Sequence, residues 1–444
     1  MGKWKLIILS GLAIGVSLIC YFIIQEIGSS HEKVVIFGED SSNLQAYKLL
    51  AKQFRADTGI SLEFIGVTFE QSIQKADAMF RNGGSAYDLV LQYNFSLAPY
   101  VRNGYVAEIG DVISPSILNN SKVSEGIFGN ALRETCYYYS DPQDTKSESK
   151  QFGFPFAANT MLLVYNRDLF EDPKLKQDFR TTYGKELAPP SDWSDYLTIA
   201  EFYSGRHPGL HGVCIQGASE GWLYYELCNL LFGMGTGTSN KVYGWEERAP
   251  LTIATPKNEE VLRYYKRLFK TSAGDFFTIG ASQQQEIMLE GKTAMCLMWS
   301  DYIRPLADSE SPRFGFAPIP GNVSGLAGGA FYLNHKSKHM QAASQFMLYA
   351  LSSENQERLI EHGLCSAQKM AYTDSVMARV PYARALRDSL ERGVFMFEAG
   401  TDAEIISTAL TTYVQKYIRG EISETEALSQ AQAEVLLKRA RFQY

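Results

Sequence analysis

Between Val34 and Leu91 the hydrophobic pattern switches repeatedly between period two and period 3.6, and this switching constrains the fold more than any other feature of the chain. Val34-Val35-Ile36-Phe37 is a short, apolar, β-branched run ending at Gly38, which reads as a buried strand. Tyr47, Leu50, Ala51 and Phe54 then recur at helical spacing, a stripe that stops at Gly59. Ser61 to Val67 alternates as a strand, Ile73 to Phe80 has helical spacing, and Asp88-Leu89-Val90-Leu91 is strand-like again. Strands alternating with helices imply right-handed βαβ units and a mainly parallel sheet.

The same alternation returns further on. Glu134 to Gln151 turns polar, with Asp141 to Lys150 its most hydrophilic part, and reads as a surface excursion. Phe154-Pro155-Phe156 leads into a second set of strands at Met161 to Tyr165. Pro189-Pro190 precedes Ser191, a candidate N-cap for a helix carrying Trp193, Tyr196 and Leu197. Val213 to Gln216 reads as a strand that enters a Gly-rich turn and then the helix Trp222 to Phe232. Gln341 to His362 is helical in pattern, and Ser423-Glu424-Thr425-Glu426 has capping-box spacing ahead of a helix over Ala427 to Ala440. No repeat of 20–50 residues is present, which excludes a solenoid or propeller. At 444 residues the chain is long enough for about three domains or two large ones, and the reading is an α/β protein in two lobes.

Composition narrows the function. Lys+Arg 42 against Asp+Glu 49 leaves a net charge of −7, which argues against general nucleic-acid binding. Leu6 to Ile24 is a 19-residue stretch without a charged side chain, preceded by Lys3 and Lys5. As a helix it would span roughly 28 Å, close to the hydrocarbon thickness of a bilayer. Lysines before the span and none just after it place the body of the chain outside the cytoplasm. An uncleaved anchor is the first reading and a cleaved signal ending near Gly28-Ser29-Ser30 the second. A lipoprotein site at Cys20 comes third, because large Ile19 precedes it. Cys136, Cys214, Cys228, Cys296 and Cys365 form no Cys-x-x-Cys pair and read mainly as buried free thiols. No His or Cys has metal-ligand spacing, so neither a structural metal nor a cofactor is expected.

Gly217-Ala218-Ser219-Glu220-Gly221 fits G-x-S-x-G between a strand and a helix, the context of a nucleophile elbow. A serine hydrolase would recruit Asp301 and one of His335, His339 or His362. Against it, no His-Gly-Gly-Gly segment precedes the motif, and a Gly/Ser-rich strand–helix loop also serves non-catalytic ligand sites. Gly233-Met234-Gly235-Thr236-Gly237 lacks the dinucleotide spacing and follows a helix. The rings of Trp222, Tyr224 and Tyr225 are individually ordinary core material, yet together they open a helix where a cleft would lie.

At Phe54-Arg55-Ala56-Asp57-Thr58-Gly59-Ile60 the chain resembles the family-1 extracellular solute-binding proteins of ABC importers, the maltose-binding type. Further blocks agree in order: Tyr87 to Val90, Val101 to Ile109, Gly153-Phe154-Pro155 with Val164 to Phe170, Glu290 to Met295 followed by Trp299, Pro318-Ile319-Pro320, Gly328-Gly329, and Ala342 to Gln356. The resemblance implies a non-enzymatic periplasmic-binding-protein fold, two α/β lobes hinged around a ligand cleft, with crossings near Pro155–Asn159, Gly328–Ala330 and Cys365–Ser366. It implies an N-terminal lobe of residues 32–156 plus 330–364 and a C-terminal lobe of 157–329 plus 365–444, behind a leader of residues 1–30. Positions matching family ligand contacts are Glu39, Ser41, Ser42, Gln92, Tyr93 and Asn94 on one side, and Trp222, Tyr225, Trp299 and Asp301 on the other. The implied solute is a sugar or polyol and the implied partners are ABC permease subunits, with the membrane reached through residues 6–24. Trp299 lies about two residues early, the Pro usual after the third crossing is absent at Leu364-Cys365-Ser366, and Phe37 replaces a Trp. A monosaccharide, polyol or other polar solute therefore stays open beside an oligosaccharide. Two other outputs stay open as well: solute sensing for a membrane kinase, and the hydrolase using Ser219.

Overall fold

The structure, a computed structural model, describes residues 32–139, 147–206, 208–218, 221–238, 250–308, 313–396 and 403–441. The apolar stretch at residues 6–24, Ser219 and Glu220 lie outside them. Among the described residues no helix is long and apolar enough to cross a membrane.

The described residues form eleven strands: β1 (Lys33–Glu39), β2 (Ser61–Val67), β3 (Leu89–Tyr93), β4 (Tyr137–Tyr139), β5 (Ser149–Gln151), β6 (Phe154–Asn166), β7 (His211–Val213), β8 (Thr293–Trp299), β9 (Phe314–Ala317), β10 (Gly325–Leu333) and β11 (Val394–Phe395). The expected βαβ start is present. β1 pairs in parallel with β2 from Lys33↔Ser61 to Glu39↔Val67, and with β3 at Ile36↔Leu89. The stripe from Tyr47 to Phe54 becomes two short helices, Ser42–Lys48 and Ala51–Thr58, and the second is closed by Gly59 in the left-handed region at φ 77°. There a side chain at Cβ would be strained, and glycine is not.

The sheet is mixed rather than mainly parallel, which corrects the sequence reading. Its order is β2-β1-β3-β10-β6-β8-β7, with β11 beside β10 and β9 beside β6. β10 is antiparallel to β3 and β6, and β6 is antiparallel to β8 and β9. Sequence periodicity cannot see this, because a strand buried on both faces is apolar whichever way its neighbours run. Phe154 to Asn166 is likewise one strand, not a lead-in followed by a separate set, and every residue in it but Tyr165 is buried. It bonds β10 over Phe154 to Thr160, then β8 over Met161 to Tyr165.

Smaller corrections have local causes. The polar stretch from Glu134 holds the end of the helix Gly129–Cys136 and a hairpin of β4 with β5, and Tyr138 is fully buried. Asp192, not Ser191, caps the helix Trp193–Tyr203, its carboxylate accepting from Asp195 N at 2.8 Å. The strand at Val213 ends there instead of reaching Gln216. The capping box is made: Glu426 accepts from Ser423 N at 2.8 Å while Ser423 Oγ accepts from Glu426 N at 3.2 Å.

Two large apolar cores flank the long strands. One gathers Ile36, Tyr47, Phe54, Phe331 and Phe346; the other gathers Phe170, Tyr196, Leu223, Tyr265 and Leu410. Phe69, Phe95 and Tyr302 are half-buried and pack against both. The five described cysteines are buried free thiols.

Candidate functional site

β1, β2 and β3 run in parallel and β8 runs against them, so their carboxyl ends approach from opposite directions along β6, where Gly329 beside Tyr93 faces Ala157 and Trp299 faces Met161, and the loops that follow make a crevice. Glu39 ends β1, Thr68 and Phe69 follow β2, Tyr93 ends β3, and Trp299 to Tyr302 end and follow β8. These segments converge on one cleft. Its outer part is a cavity of about 1250 Å³, open to solvent, with Ser41, Ser42, Gln71, Gln283, Arg304 and His362 on its walls. Its inner part, about 40 Å³, is bounded by Glu39, Phe69, Tyr93, Phe95, Asn159, Trp222, Tyr225, Trp299, Asp301, Tyr302 and Ala327.

The walls of the inner part are rings in contact. Trp222 and Tyr225 open the helix Trp222–Gly233 behind Gly221, whose φ of 95° turns the chain sharply into the first turn. Tyr225 meets Trp222 and Trp299 edge-on, each at 5.7 Å between centroids. Phe69 reaches Trp222 at 5.8 Å and Tyr93 at 5.5 Å, so one ring touches the walls contributed by both cores. Phe69 is the first residue of a helix whose N-cap, Thr68, accepts from Gln71 N at 3.3 Å. Flat apolar faces of this kind suit the C–H faces of pyranose rings or polyol carbons.

The floor is polar and acidic. Tyr93 and Tyr302 both donate their hydroxyls to Glu39, the second at 3.3 Å. Asn159 Nδ2 donates to Asp301 Oδ2 at 3.0 Å and is itself oriented by Asn43, whose Nδ2 reaches Asn159 Oδ1 at 3.1 Å. Burial pushes the Glu39 carboxyl above the ordinary carboxylate range, and the charge of Asp301 pushes it further. Burial raises Asp301 too, against its backbone and Asn159 hydrogen bonds, which lower it. Trp299 is buried and its Nε1–H has no acceptor among the described residues.

Of the positions expected to touch a solute, Glu39, Tyr93, Trp222, Tyr225, Trp299 and Asp301 bound the inner pocket, and Ser41 and Ser42 line the outer cavity. Ser42 Oγ donates to Gly363 O at 2.8 Å. Gln92 and Asn94 are buried and lie off both linings; Gln92 Nε2 donates to Ser72 Oγ at 3.3 Å. Phe69, Phe95, Asn159 and Tyr302 were not anticipated. Phe69 and Phe95 follow a strand end by two residues and Tyr302 by three, so extending the strand-end rule by a few residues would have found them.

The nucleophile of the hydrolase reading, Ser219, lies outside the described residues. His339 Nδ1 lies 3.1 Å from Glu32, away from Asp301, and His362 is on the outer wall. Among the described residues no group of three or more His, Cys, Asp or Glu side chains could hold a metal ion.

Where the two long strands change partners, a third segment joins them. Cys365 O accepts from Ala158 N at 2.8 Å, and Cys365 N donates to Asn43 Oδ1 at 2.8 Å. Opposite, Gly329 in β10 has Gln92 O on one side and the Phe156 ring on the other, leaving no room for a Cβ.

Residues 50–381 match the family model described as bacterial extracellular solute-binding protein. A Sinorhizobium fredii (strain NBRC 101917 / NGR234) protein, named for an amino-acid ABC transporter as its periplasmic-binding protein, is 19% identical over 421 residues, covering 91% of this chain and 89% of that one. An ABC transporter solute-binding protein of Thermotoga lettingae TMO, solved with α-D-tagatose, aligns at TM-score 0.76 and 18% identity over 91% of this chain and 98% of that one. Its counterpart from Agrobacterium radiobacter K84, solved with ribitol, aligns at TM-score 0.74 and 19% identity over the same shares.

Proposed function

We propose, from the premise that this chain belongs to the bacterial extracellular solute-binding protein family, that it is the extracytoplasmic binding component of an ABC import system and that its solute is a sugar or polyol. The observation that carries this reading is the inner pocket, where rings from two separate cores face each other across buried carboxyl and amide groups. Rings stack on the carbon faces of the solute, and carboxylates and amides take pairs of its hydroxyls. Glu39, Ser41, Ser42, Tyr93, Trp222, Tyr225, Trp299 and Asp301 touch the solute, with Gln92 and Asn94 supporting them from behind. The tagatose and ribitol of the two solved structures support the solute class.

The N-terminal lobe comprises residues 32–156 plus 330–364, and the C-terminal lobe 157–329 plus 365–444. β6, β10 and the Cys365 segment, which meet at Ala158, support these boundaries as the hinge. Solute closes the hinge, and the permease reads the closed form. Residues 6–24 carry the body out of the cytoplasm as an anchor or a cleaved signal. The test is a thermal-shift screen of the purified full-length chain with sugars, polyols, amino acids and oxyanions. A solute at about 1,000 times its Kd should add roughly 4 kcal/mol, a shift of several degrees. Stabilisation by a sugar or polyol, reduced to roughly half in Trp222→Ala, is the expected result; stabilisation by no sugar or polyol in a folded chain overturns the reading.

A further inference from the structure

The inner pocket holds two carboxyl groups and, among the described residues that bound it, no basic side chain. The donors to Glu39 and Asp301 are the neutral groups of Tyr93, Tyr302 and Asn159. The nearest cation on the outer wall, Arg304, is already engaged, donating to Asp308 at 2.8 Å and to Glu361 O at 3.1 Å. Lys48 pairs at 3.4 Å with Asp40, which lines the outer cavity. Glu70 adds a further negative charge facing Glu39. A buried carboxylate is costly unless something pairs with it, and nothing described in this pocket does so.

The walls point the same way. The faces and edges of Trp222, Tyr225, Trp299 and Phe69 enclose the carboxyl pair, and aromatic faces attract cations, most strongly where water is excluded. Trp299 Nε1–H, without an acceptor among the described residues, asks for something different, a hydrogen-bond acceptor such as a hydroxyl oxygen. An amine alone would leave it unmet.

We propose that the solute carries a protonated amine together with hydroxyl groups, an amino sugar or amino polyol, with the amine held between Glu39 and Asp301 inside the rings of Trp222, Tyr225 and Trp299. This rests on the solute-binding reading above and narrows it. Arrival of the amine supplies the missing positive charge, so the carboxyl pair releases the proton it holds in the empty cleft. Glu70, Tyr93 and Tyr302 face Glu39, while Asn159, Cys365 and Tyr382 face Asp301; none of them brings a positive charge to replace the ligand's.

Matched pairs test this on the purified full-length chain: glucosamine against glucose, and glucamine against sorbitol, with putrescine as an amine lacking hydroxyls. Calorimetry in two buffers of different ionisation enthalpy reads affinity and proton release together. The expected result is binding of at least one amine about tenfold or more tighter than its hydroxyl counterpart, weaker binding of putrescine, and net proton release at neutral pH. Glu39→Gln and Asp301→Asn should each remove most of the amine preference while unfolding at or above the wild-type temperature. Equal or tighter binding of the neutral partner overturns the inference and leaves the sugar or polyol reading standing. A preference that survives both substitutions overturns it as well, as does putrescine binding as tightly as the amino sugars. Failure of every sugar, polyol and amine overturns both.

Discussion

At the residue scale the cleft depends on a few side chains whose removal has distinct signatures. Trp222 is half-buried and packs on Phe69 and Tyr225, so Trp222→Ala should leave the fold intact and weaken solute binding by on the order of 2 kcal/mol, about thirtyfold, read by calorimetry. Trp299 is buried, so truncation would also open a cavity. Trp299→Phe keeps an aromatic ring in the wall but removes Nε1–H with part of the ring's volume, and should cost affinity with a smaller loss of stability than Trp299→Ala. The carboxyls predict a pH dependence of the empty protein. Glu39 and Asp301 hold protons more tightly folded than unfolded, where their ordinary values are 4.5 and 3.8. Between those values and the raised folded ones the native state binds more protons than the unfolded state, so stability falls as pH rises. The stability they contribute is full below pH 4 and declines through the range above it. Burial raises Glu226 in the same direction, so the informative quantity is a difference. Denaturant unfolding at pH 4.5 and pH 8 should show a steeper decline in wild type than in the double variant Glu39→Gln/Asp301→Asn. Equal slopes would refute the assignment.

At the scale of elements, β10 is tightly packed where it runs between β3 and β6. A Cβ at Gly329 would lie 2.2 Å from Gln92 O and 2.5 Å from the Phe156 ring, and two paired strands have no slack to absorb that. Gly329→Ala should therefore lower stability by roughly 1–3 kcal/mol in chemical denaturation, whereas Ala at Gly129, whose Cβ would meet nothing within 4 Å, should change little. The elements themselves were largely legible: β1, β2 and β3, the helix after β2 and the capping box at Ser423 all follow from local period and end chemistry. What was not legible is non-local. β6 reads the same whether its neighbours are parallel or antiparallel, because Phe154 to Val164 is buried on both faces. Asn159 belongs to the cleft only because distant segments meet there, facing an aspartate 142 positions away. A local pattern carries no information about such a meeting. Asp192 displaced Ser191 as a cap for a different reason: either residue suits the position, and helix register decided between them.

At the scale of the whole molecule, the proposed hinge requires the two cores to move relative to each other. Three segments meeting at Ala158 form a narrow connection, while Phe69, Phe95 and Tyr302 provide contact surface on both sides. Solute should therefore compact the protein: small-angle scattering is expected to give a smaller radius of gyration with solute than without, and Trp222→Ala should reduce that change at a fixed solute concentration. The central claim, reversible capture of a polar solute without chemistry on it, is tested most directly by titrating the purified full-length chain with ribitol, tagatose, maltose and glucosamine, then recovering the solute. Saturable one-to-one binding of at least one of them, returned chemically unchanged, is the predicted result. A folded chain that binds none of them, or that returns a cleaved or altered solute, would contradict it.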